Sequence, residues 1–160
     1  MDKVNSQEYF FKYAFPCANV LVENNKLDKK EFEKFKELFI SGRVPSKEEL
    51  ESVFVAAFRR IKKLAERMGR NHWDLEVMKE YWHKNHNEVI DGGEGNYAPA
   101  PETFKDFCKV HKAEIIEKKD KMLVVRYDDK ERAVFDTLVP DAKIGDIVRI
   151  HHAYAIEIAP

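Results

Sequence analysis

The amino-acid sequence predicts an α+β protein in two parts: a helical bundle over residues 1–90, then a small five-stranded antiparallel β-barrel over residues 108–160. Three observations point to this. Apolar residues recur at steps of three and four from Ser6 to Val89, the period of a helix face. From Lys112 to Ile158 they come instead in short β-branched runs bounded by polar turns, the pattern of strands. Between the two lies a Gly/Pro-dense stretch, Asp91 to Pro101, so residues 91–107 read as a linker and a short helix, Glu102–Phe107.

The helices follow from their start and stop signals. Ser6 to Val22 has helical spacing (Phe10, Tyr13, Ala14, Cys17, Leu21), with Pro16 starting, breaking or kinking it. Asp28-Lys-Lys-Glu31 opens a second helix through Phe32, Phe35, Leu38 and Phe39, closed by Gly42 and Pro45. Ser46-Lys-Glu-Glu49 is a capping box, and an apolar face then runs from Leu50 to Met68 before Gly69 stops the helix. Another helix runs from about Asn71 through Trp73, Met78 and Trp82 to Val89. The strands read as Lys112–Ile116, Met122–Tyr127, Arg132–Thr137, Ile147–His151 and Tyr154–Ile158, the first three joined as a meander. Five such strands must cover their edges or close, hence a barrel.

Composition narrows the function. With 44% hydrophobic and 36% charged residues over 160 positions, the chain can bury a core and is not disordered. The formal net charge of -1 argues against nucleic acid as a partner, because counterion displacement from phosphates needs a basic surplus. No apolar run approaches a membrane span of ~20 residues, and the first residues lack the pattern of a secretory signal. A cytoplasmic protein, with no membrane partner, is expected. Two cysteines, Cys17 and Cys108, are too few for a disulfide scaffold.

Cys108 is the residue most suggestive of chemistry. It stands at the junction of the two halves, where Lys109, His111 and Lys112 would lower the pKa of its thiol and make it a soft metal ligand or nucleophile. The plainer alternative is a buried thiol acting as a small hydrophobe, the reading favoured for Cys17. His83 and His86 are three apart on a helix, a spacing that can hold one metal, or equally a solvated helix end. In His151-His152 strand alternation sends the two side chains to opposite faces, so one is expected near the barrel rim. Nucleotide-loop, zinc-protease and serine-hydrolase motifs are missing.

Three ordered segments carry a family resemblance: Cys108-Lys-Val-His-Lys-Ala-Glu-Ile115, Leu138-Val-Pro-Asp-Ala-Lys-Ile-Gly-Asp146, and Val148-Arg-Ile-His-His-Ala-Tyr-Ala-Ile156. Together they resemble the HypC/HupF-type hydrogenase maturation chaperones over about the last third of the chain. The resemblance implies an OB-like barrel and a chaperone, not an enzyme. It places the family's cysteine on Cys108 and its hairpin histidine on His151; His111, close to Cys108 in sequence, is a further candidate metal ligand on its position alone. It also implies an iron with cyanide and carbonyl ligands as cargo, held with a maturation scaffold and delivered to a [NiFe]-hydrogenase large-subunit precursor. The sequence departs from the family in its internal cysteine, in Lys112 where a proline is usual, and in Ala153 where the hairpin has glycine. The helical bundle resembles no family. Two other functions stay open: a non-catalytic protein-interaction module with a structural Cys108, and a metal-dependent enzyme using His83 and His86. The oligomeric state is not legible.

Overall fold

A computed structural model describes residues 5–93, 97 and 99–160. Of the predicted linker, residues 94–96 and 98 lie outside the described residues. The chain divides into two compact units between Asn85 and His86.

The first unit is helical. Helix α1 (Ser6–Ala14) is capped by Asn5 and gives way at Phe15–Cys17 to a tighter 3₁₀ turn, where Pro16 has no N–H to leave unmatched; α2 (Ala18–Glu23) follows. Helix α3 (Lys29–Ile40) starts at the Asp28 cap. The Ser46–Glu49 capping box opens α4 (Lys47–Val53), and left-handed Gly69 ends α5 (Val55–Met68). The single helix expected across residues 46–69 is thus broken at Phe54. The break is cheap: Phe54 N–H still donates to Leu50, Phe58 N–H still donates to Phe54, and the Phe54 ring is buried against Phe10. Helix α6 (Leu75–Glu80) begins only at the Asp74 cap and passes into a π turn, Tyr81–Asn85. The core is a mesh of rings, with Trp82 stacked on Tyr13 and Phe10 packed against Phe58 and Trp82. Among the described residues no helix is long and apolar enough to cross a membrane.

The second unit opens with α7 (His86–Asp91) and α8 (Glu102–Cys108). Strands β1 (His111–Lys119), β2 (Met122–Tyr127), β3 (Lys130–Phe135), β4 (Ile147–His151) and β5 (Tyr154–Ile158) then close an OB-like barrel in the order β1-β2-β3-β5-β4. One pairing corrects the all-antiparallel expectation: β3 meets β5 in parallel, at Phe135 and Tyr154. The reason is parity, since strands alternating in direction around a ring of five cannot close without one parallel pair. Asp128 and Asp129 both take positive φ, which makes the β2–β3 turn a tight two-residue hairpin and starts β3 two residues earlier than the sequence suggests. Gly145 (φ 97) turns the Ile-Gly-Asp segment back onto β1, where its N–H donates to Ile115. The interior is aliphatic, with Ile115, Leu123, Val125, Val134, Val148 and Ile150 at its centre.

Candidate functional site

The residues with the most chemistry gather in the second unit, around the last turn of α8 and the β4–β5 hairpin. Cys108 ends α8 and is 1% exposed. Burial pushes its thiol up to about 11, against the opposing pull of the Arg132 charge and the Tyr97 hydroxyl. The expected accessible, acidified thiol is therefore not what forms. The basic neighbours are occupied elsewhere: Lys109 is ion-paired with Asp91, and the His111 ring is turned to Asp106.

His111 opens β1 and stacks on Tyr127, ring centres 4.4 Å apart. Its Nε2–H donates to the Asp106 carbonyl at 2.8 Å, and burial holds its pKa below the ordinary value although Asp106 pulls the other way. His151 is fully buried, with its ring edge-on to His86 at 5.1 Å and to His152 at 4.9 Å. His152 is buried too, which corrects the expectation that one of this pair faces water. It escapes strand alternation because it is a turn residue at φ 54, which lays its ring against Phe107 at 4.6 Å. Burial pushes its pKa down to about 2, with His151 and Arg132 adding to the effect. Its Nε2 has no hydrogen-bond partner among the described residues.

His83 and His86 have different neighbours. His83 Nε2 meets the Tyr9 hydroxyl at 2.7 Å, whereas His86 packs on His151. The π turn ending at Asn85 is wider than an α turn, so residues three apart lose their common face there. Among the described residues, no three His, Cys, Asp or Glu side chains are grouped to hold a metal.

Sequence reasoning missed Asp106. Its carboxylate accepts from the Tyr127 hydroxyl at 2.6 Å and lies 3.3 Å from Lys130 Nζ and 3.4 Å from Arg132 Nη2. Arg132 Nη2 also donates to Tyr127 Oη at 2.6 Å, Arg132 Nη1 donates to the His152 carbonyl at 3.2 Å, and the guanidinium lies 4.9 Å from the Phe107 ring centre. Burial alone would raise the Asp106 carboxyl, but the Tyr127 hydroxyl, His111 and Lys130 overcome it and hold the group below its usual range. Tyr127 is pushed up to about 12 by burial and by that carboxylate. These partners lie 21 and 26 residues from Asp106, beyond any local motif. As arranged, the site keeps a protonated thiol and a neutral His152 imidazole out of water behind a charged clasp.

No protein-family model matches the sequence, and no curated protein matches it. What the fold and site define is an OB-like barrel with a buried thiol just ahead of its first strand and a separate helical unit earlier in the chain.

Proposed function

We propose that the chain is a non-catalytic interaction protein of the cytoplasm, with the barrel as a docking body and Cys108 as a packing thiol. The observation behind this is the burial of Cys108, which keeps the thiol protonated at neutral pH and closed to a ligand. A second reading is favoured by the position of Cys108 just ahead of β1 in a five-strand barrel, as in the resembled maturation chaperones. On that reading Cys108, with His151 and His111, receives an iron carrying cyanide and carbonyl ligands from a scaffold partner and hands it to a hydrogenase precursor.

Alkylation at neutral pH, mapped by mass spectrometry, separates the two. A packing thiol stays protected until unfolding while half-buried Cys17 reacts first, and Cys108→Ala then leaves partner binding intact. Ready reaction of Cys108, with loss of iron or scaffold binding in Cys108→Ala at unchanged fold, overturns the first reading in favour of the second.

A further inference from the structure

We propose that α8 is a hinged lid whose last residue, Cys108, is kept buried while the helix is held shut by the Asp106 carboxylate, seated in a cradle of Tyr127, Lys130, Arg132 and His111. This goes beyond both functional readings, since it concerns how the thiol is covered and not what it binds. Cys108 is the one residue of α8 that is fully buried, so the helix has little apolar hold on the barrel. What fastens it is polar. The Tyr127 hydroxyl, Lys130 and Arg132 converge on one carboxylate, His111 takes the adjacent carbonyl, and Phe107 lies against Arg132 and His152.

The far side of the hinge is pinned separately. The Asn87 side-chain amide donates to the Val110 carbonyl and its oxygen accepts from the Val110 N–H, both at 2.8 Å, while Lys109 pairs with Asp91. The helix start has no side-chain cap. Releasing Asp106 frees the helix to turn about Lys109 while Val110 and β1 keep their places. Uncovering Cys108 removes the burial that suppresses its ionisation and leaves Arg132, the nearby positive charge, to favour the thiolate.

The test uses the full chain with N-ethylmaleimide as the probe. Asp106→Asn should raise the rate of Cys108 alkylation about tenfold or more, the scale of a lost set of charged hydrogen bonds. Melting of the second unit should fall by no more than that loss, and hydrogen exchange should quicken more in α8 than in β2 or β4. Glu102→Gln, which touches only the α8 surface pair with Lys105, should change nothing. Should Asp106→Asn fail to fold, Tyr127→Phe removes only a hydroxyl and should raise the rate in the same direction by less. An unchanged Cys108 rate in the folded variants, an equal rise in Glu102→Gln, or exchange of α8 that matches the barrel strands overturns the lid.

Discussion

The two units bury different matter. The helical unit is filled with rings, among them Phe10, Tyr13, Phe35, Phe58, Tyr81 and Trp82, whereas the barrel interior is almost wholly aliphatic. The buried polar side chains among the described residues, His86, Asp136, His151 and His152, all fall in the second unit. Burying an imidazole costs free energy unless it is matched. A fold that tolerates several has its interior set by more than packing. The interior of the helical unit is accounted for by ring packing, whereas the buried imidazoles of the second unit call for a further reason.

The largest effect should come from the ring mesh. Phe10→Ala removes a fully buried ring that touches Phe54, Phe58 and Trp82, and should cost about 3–5 kcal/mol. Denaturant melts with separate probes for the two units check this; a loss below 1 kcal/mol would mean the rings are not the core they form on paper.

Acid should separate the units next. His152 stays neutral when folded, with its pKa pushed to about 2, but binds a proton near 6.5 once unfolded. The unfolded chain therefore holds more protons below 6.5. The contribution is complete above that pH and shrinks as pH falls, by up to ~1.4 kcal/mol per pH unit. Lowered His111 acts in the same direction. In the helical unit the lowered groups are carboxylates, Glu49 through its hydrogen bond from Lys34, and Glu51 through Lys62 and Trp73 despite burial. Their contribution is present above about 4.5 and lost only below it. Between pH 6.5 and 5 the second unit should lose about 2 kcal/mol, and His152→Asn, which keeps a left-handed backbone accessible, should flatten that slope. Hydrogen exchange across a pH series would show it, and equal slopes in His152→Asn and the parent would refute it.

Smaller again, Asn87→Ala leaves the Val110 N–H and C=O unmatched and should cost on the order of 1–2 kcal/mol, read as faster exchange at the start of β1. The least effect belongs to Lys34→Ala. Its pair with Glu49 is solvent-exposed, and any fall in melting should be smaller than that of Asn87→Ala.

Much of the fold was legible because its signals are local. Strands β2, β4 and β5 begin and end where the alternation of Met122–Tyr127, Ile147–His151 and Tyr154–Ile158 puts them. The Asp28 and Ser46 caps and the Gly69 stop are single-residue cues. The break at Phe54 was hidden because the steps of three and four continue across it. The site was harder. Cys108 could be singled out, but the choice between an accessible and a buried thiol could not be made, because Asp106 seats the helix on residues of a hairpin some twenty positions on. His86 looked like half of a pair with His83, and only the fold turns it to His151.

The Asn87–Val110 pairing also bears on where this barrel starts as a physical object. A side-chain amide that gives and takes one hydrogen bond with a backbone unit imitates a neighbouring strand. The first ladder rung of the barrel is therefore supplied by a helix more than twenty residues upstream. A fragment cut at Cys108, just ahead of β1, would leave that rung bare and would strip the His86 ring from His151. One cut at His86 carries its own first rung, so the portable module, residues 86–160, is about two-fifths longer than residues 108–160 alone.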